Sequence, residues 1–287
     1  MKKKTNTVRH IRTRNYRIIF FLILCSSFFT TYAQSYEEYF EQGLTAAHAK
    51  QDDQASSHFQ QALKHSPNNI RNALIHTNIA HILLAKGERM KALESYDLAL
   101  GIVPLNIPIL QARANLYLAL GNHGKALLDY TKIIDLDSKN IDALLQRAYI
   151  YQQRRDYHSA QADYERILHL VPNHYAAQLG MAILLQHTQK PQEAIRRLTL
   201  LIDKHPEKAE IYSVRAEIEA EEQMPELAII DLDKAISLEP DNTNMLLTRA
   251  YLHLSQDNKR LAKQDFERAI QLGIPRGQLK EELKQCK

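Results

Sequence analysis

Few residues in this chain have types and spacings that could do chemistry. His76 and His81 could bind a metal, but they stand five residues apart, and a zinc pair on one helix face needs a spacing of four. Cys286 could be a thiol nucleophile. No histidine lies near it in sequence to take its proton, and a terminal cysteine on an apolar face reads instead as a small packed residue. Gly121-Asn122-His123-Gly124 comes nearest to a loop that cradles phosphate, in a chain with eight glycines, and it falls in a turn between two helical segments. The chain is therefore expected to be no enzyme and to hold no cofactor and no metal.

One charged pattern recurs. Arg113, Arg147, Arg215 and Arg249 each stand sixteen residues before an aspartate: Asp129, Asp163, Asp231 and Asp265. A catalytic pair repeated four times in one chain makes no chemical sense, whereas an ion pair that ties two helices together needs such repetition. These eight residues are read as structural pairs. The cations three residues after each aspartate, Lys132, Arg166, Lys234 and Arg268, are expected to add about 0.2 to 0.5 kcal/mol each.

The elements that would hold these pairs follow from the alanines. Ala92, Ala126, Ala160, Ala194, Ala228 and Ala262 recur every 34 residues, and Ala55 precedes Ala92 by 37. With this alanine numbered position 20 of a repeat, position 8 is Gly43, Ala80, Ala114, Ala148, Ala182, Ala216 and Ala250. Position 24 is Phe59, Tyr96, Tyr130, Tyr164, Leu198, Leu232 and Phe266. Position 32 is Pro67, Pro104, Pro172, Pro206 and Pro240, with Ser138 and Ile274 as departures. Small residues let two helix backbones approach, the larger side chain fills the angle between them, and the proline ends the second helix. Pro191 and Pro225, at position 17, suit the first turn of a second helix, where a missing N–H is no loss.

This signature resembles that of the tetratricopeptide repeat family over nearly the whole chain from Tyr36 to Arg276. The resemblance implies an all-α, right-handed solenoid of helix-turn-helix units. Seven repeats are expected, at 36–69, 73–106, 107–140, 141–174, 175–208, 209–242 and 243–276, in one domain over 34–287. The three residues between the first two repeats are expected to extend the first helix of the second. Leu279, Leu283 and Cys286 share one face of an expected capping helix over 277–287.

Residues 1–33 read as a signal peptide. Seven Lys or Arg and no acid precede the apolar run Ile18 to Phe29, and Thr31-Tyr32-Ala33 ends it, so cleavage is expected near Ala33-Gln34, with a periplasmic or secreted product. Cys25 as a lipid anchor is the weaker alternative, because a leucine precedes it. Removing the leader leaves 37 − 7 = 30 Lys and Arg against 33 acids, a net −3, so the basic balance belongs to the leader and gives no support to nucleic-acid binding. No membrane span is expected in the mature chain, and its single remaining cysteine permits no internal disulfide.

In the family, a concave groove is lined by positions 2, 5, 9, 12 and 13 of each repeat. Of these 35 sites none is Lys or Arg, where composition alone would put about four. The resemblance thus implies a non-catalytic scaffold binding a neutral to basic protein or peptide, with contacts from Phe40, Leu145, Tyr149, Ile183, Glu210, Glu217, Glu221 and Tyr251. The arginine and lysine clamp by which some relatives hold a peptide's terminal carboxylate is not in this pattern. Self-association, or service as an accessory subunit of an enzyme, is the alternative.

Overall fold

A computed structural model describes residues 35–287. The expected signal peptide and its cleavage site lie outside the described residues. Among the described residues every regular element is a helix, in keeping with the all-α expectation. The order is α1 (35–48), then α2 (Asp52–His65), α3 (Asn72–Ala85), α4 (Arg89–Ile102), α5 (Ile107–Ala119), α6 (His123–Leu136), α7 (Ile141–Gln153), α8 (Tyr157–Leu170), α9 (Tyr175–His187), α10 (Pro191–Lys204), α11 (Ala209–Glu221), α12 (Pro225–Leu238), α13 (Thr243–Ser255) and α14 (Lys259–Gln271). A 3-10 turn, Arg276–Leu279, leads into α15 (Lys280–Gln285).

The chain divides into two compact units, one ending at Leu136 and the other running Asp137–Lys287. In the first, α3 packs on α4 and α5 on α6. In the second, α7 packs on α8, α9 on α10, α11 on α12 and α13 on α14.

Local sequence explains where these helices begin and turn. Asn106, Asn140 and Asn242 stand just before α5, α7 and α13, and each side-chain oxygen accepts from the backbone N–H three residues on, at Ile109, Ala143 and Met245. Pro191 and Pro225 are the first residues of α10 and α12. The residue at position 15, between the two helices of each pair, takes a left-handed conformation. It is glycine at Gly87 and Gly121 but Lys50, Arg155, Gln189, Gln223 and Asp257 elsewhere.

Packing follows the alternation of small and large. The alanines at positions 8 and 20 are fully buried from Ala55 to Ala262, and so are Phe59, Tyr130, Leu198, Leu232 and Phe266 at position 24. Tyr164 needs more room than an alanine partner would leave. It rests on Gly180 in α9, where an added Cβ would lie 2.4 Å from the ring's Cζ.

Gly180→Ala is therefore expected to destabilise by about 1 to 3 kcal/mol through overpacking, although alanine is the better helix former. Gly101, in α4, has nothing within 4 Å of an added Cβ, so Gly101→Ala should stabilise by about 0.5 to 1 kcal/mol. Urea midpoints of the two variants should move in opposite directions, and a stabilised Gly180→Ala would show that Tyr164 has room to yield.

Of residues 70 to 72, expected to extend the first helix of the second repeat, only Asn72 does so. Residues 70 and 71 form turns, and α3 starts only at Asn72. The cause is Asn72 itself. Its buried amide donates to the carbonyls of Ser66 and Pro67 at 2.7 and 2.9 Å and accepts from the Tyr36 hydroxyl at 3.1 Å, which folds the segment back onto α1.

Two buried polar atoms have no hydrogen-bond partner among the described residues, Glu219 Oε2 and His253 Nδ1. Both belong to position 11, where two other pairs carry Leu83 and Leu185. Burial, followed by the charge of Asp231, pushes the Glu219 carboxyl up to about 7, and Arg215 pulls it only partly back. Burial lowers the pKa of His253.

Candidate partner-binding site

The first helices of the second unit form an open cavity of about 570 Å³. Leu145, Tyr149, Gln152 and Gln153 of α7 line one side, and Tyr175, Leu179, Ile183 and His187 of α9 the other. The Tyr164 ring from α8 and Glu210 at the start of α11 complete it. Gly180 also lines it, so the missing side chain that admits the Tyr164 ring shapes the cavity as well. Tyr164 is held by a hydrogen bond from its hydroxyl to Gln152 Oε1 at 3.0 Å, and burial pushes its pKa up to about 12.

Tyr149 is 46% exposed, a large aromatic ring presented to solvent at the cavity edge. Glu210 is exposed and is fixed by the Tyr175 hydroxyl, which donates to Oε2 at 3.2 Å. Burial first, and then the Glu210 charge, raise the Tyr175 pKa, so this hydroxyl stays a donor. Apart from His187, Glu210 is the one ionisable group among the lining residues besides the tyrosines.

The structure thus brings Leu145, Tyr149, Ile183 and Glu210 together. Glu217 and Glu221 lie farther along α11, one turn apart. The surrounding protein raises the Glu217 pKa even though the side chain is exposed, and the charge of Glu221 adds to that effect. Glu221 accepts from Gln186 Nε2 at 2.8 Å. Tyr251 on α13 is also 46% exposed, but it packs edge-on against Phe266 and its hydroxyl donates to Glu282 of α15 at 3.3 Å.

Phe40 differs from its expected role. It is 1% exposed, packed among α1, α2 and α3, with the Arg71 guanidinium 3.9 Å from the ring centroid. That cation is held over the ring by Glu37, which accepts from Arg71 Nη1 at 2.7 Å. Phe40 is a core residue in this structure and offers no free face.

The arginines of position 7 grip two partners. Nε and Nη2 of Arg113, Arg147, Arg215 and Arg249 donate to the two carboxylate oxygens of Asp129, Asp163, Asp231 and Asp265, at 2.6 to 2.8 Å. Nη1 reaches back to the preceding pair: Arg113 to Asp97 at 2.6 Å, Arg215 to Thr199 at 2.8 Å and Arg249 to Asp233 at 2.5 Å. The fork therefore joins successive pairs as well as the two helices of one pair. Arg268, expected to support Asp265, instead donates to the Pro240 carbonyl at 2.8 Å.

Among the described residues no group of three or more His, Cys, Asp or Glu could hold a metal ion. Cys286 is buried against α13 and α14, and burial pushes its thiol up, away from nucleophilic use. His81 packs edge-on against Tyr96, and burial lowers both His76 and His81. No described helix is long and apolar enough to cross a membrane.

Models of the tetratricopeptide repeat match residues 107–140 and 151–218. A tetratricopeptide repeat protein from Parabacteroides merdae, known as a crystal structure, is 30% identical over 88% of this chain and 99% of its own, with a TM-score of 0.71. YrrB, a TPR protein with an unusual peptide-binding site, is 21% identical over 66% of this chain and 95% of its own, with a TM-score of 0.53. TTC0263 of Thermus thermophilus, a thermophilic TPR protein, is 16% identical over 63% and 99%, with a TM-score of 0.50. The last two share the fold alone. No curated protein matches the chain.

Proposed function

The chain belongs to the tetratricopeptide repeat family, whose members commonly bind proteins or peptides, and from that premise we propose that it is a non-catalytic scaffold of seven repeats. Its partner is a neutral to basic protein or peptide, held against the first helices and acting in the cell envelope after export. The cavity between α7 and α9 carries this reading, because it offers apolar surface, an exposed tyrosine and a fixed carboxylate. Export rests on the charge and hydropathy pattern of residues 1–33.

One experiment tests both halves. The protein is recovered from the envelope of its own cells with whatever stays bound, and its intact mass should begin at Gln34; a lipid-modified species retaining Cys25 would overturn the proposed processing. Tyr149→Ala with Glu217→Lys should then weaken capture of the bound partner by at least 1 to 2 kcal/mol with Tm nearly unchanged. Lys132→Glu with Arg260→Glu, on exposed sites of α6 and α14, is the control. If the control pair abolishes capture while the first pair leaves it whole, the partner lies on the second helices and the site is misplaced.

A further inference from the structure

The cavity between α7 and α9 joins apolar surface to the amides of Gln146, Gln152 and Gln153, with His187 and one carboxylate but no lysine or arginine among its lining residues. Leu145, Leu179 and Ile183 supply surface for methylene groups, and the rings of Tyr149 and Tyr175 supply π faces. Glu210 is held in place by Tyr175, with one oxygen engaged and the other open to a ligand. We propose that this cavity takes the side chain of a lysine or arginine from an extended segment of the partner, its stem along the leucines and isoleucine and its cationic head at Glu210.

Size and charge both favour this occupant. A cavity of about 570 Å³ exceeds a single side chain, so the basic residue enters with an apolar neighbour. An acidic segment would put a second negative charge beside Glu210, with Glu217 and Glu221 farther along the same helix, and no lining lysine or arginine would offset it. A wholly apolar segment would strip water from Glu210 without replacing its hydrogen bonds. A cation with a long apolar stem satisfies both walls.

This inference rests on the reading that α7 and α9 face a partner, and its test is separable from that reading. The probes are four short peptides with blocked ends, each with one variable residue between two leucines: arginine, lysine, glutamine or glutamate. Titrated into the mature protein and followed by backbone amide NMR shifts, the arginine and lysine peptides should perturb α7 and α9 and bind at least tenfold more tightly than the glutamine peptide, with the glutamate peptide weaker still. Glu210→Gln should bring the arginine, lysine and glutamine peptides to within about twofold of one another, and raised salt should weaken only the cationic peptides. Equal affinity for the arginine and glutamine peptides, a preference that survives Glu210→Gln, or no binding by any of the four at millimolar concentration would each overturn the proposal. If partner capture still depends on Tyr149 in that case, the binding face stands and only its chemistry is wrong.

Discussion

Asp163→Ala is expected to destabilise the protein by about 3 kcal/mol, a large loss for one substitution. The Asp163 side chain is 6% exposed and Arg147 15%, so the pair is largely out of water. Two short hydrogen bonds fix the fork, from Nε and from Nη2, each at 2.8 Å. Removing the aspartate leaves a mostly buried guanidinium without its carboxylate, and desolvation of that charge is what the loss measures. Ser95 occupies the same position in α4 and only donates to the Lys91 carbonyl within its own helix, so Ser95→Ala should change stability by less than about 1 kcal/mol. The double change Arg147→Ile with Asp163→Ser copies Ile79 and Ser95 of the α3/α4 pair and should recover most of the loss. Denaturant midpoints followed together with amide exchange in α7 and α8 check this. Equal losses for Asp163→Ala and Ser95→Ala would show the fork to be structurally idle.

Glu219→Leu should do the reverse and stabilise, by about 1 to 3 kcal/mol at pH 8. Two other pairs already place leucine at this position, so the site accepts the shape. Glu219 is 5% exposed, and Oε2 has no partner. Arg215 Nε stands 3.9 Å from Oε1, too far for a hydrogen bond, and its fork is committed to Asp231. The carboxyl is raised from an ordinary 4.5 to about 7. A group raised in the folded state adds stability below its unfolded pKa and loses it as pH rises through the folded value. The wild type should therefore lose stability between about pH 4.5 and 7 through this group, while the leucine variant should not. The gain from the substitution should be larger at pH 8 than at pH 5, by about 2 to 3 kcal/mol. Equal gains at both pH values would show that Glu219 keeps its charge when buried.

Much of this architecture was legible because each regularity has a steric cause that acts once per repeat. Alanines at two positions and a ring or leucine at a third specify helix pairs before any contact is known, and all of them are buried. The sixteen-residue spacing from Arg113 to Asp129 is likewise written in the chain. The second grip of that arginine was not, because its acceptor varies: Asp97 and Asp233 are charged, Thr199 is neutral, and no charge count links them. Phe40 was misread because a groove position says which way a side chain leaves its helix and not what will cover it. Arg71, from the irregular segment that folds back at Asn72, covers it. Tyr175 stands at position 1, where five other repeats carry alanine, isoleucine or threonine and the first carries Tyr36, so its role at the cavity had no consistent periodic signal.

The junction between α8 and α9 has a mechanical meaning that follows from its composition. Across the junctions from α10 to α11 and from α12 to α13, Nη1 of Arg215 and of Arg249 reaches back in a single directed hydrogen bond, to Thr199 and to Asp233. Position 7 of α9 is Met181, and the contact there is a tyrosine ring on a glycine. Dispersion between a flat ring and a bare backbone has little directional preference, whereas a hydrogen bond weakens as its angle is lost. In the second unit, the junction at which position 7 is apolar is thus also the one beside which the cavity opens. A ligand that enters between α7 and α9 therefore meets a ring seated on a glycine, where the neighbouring junctions would present an arginine already engaged.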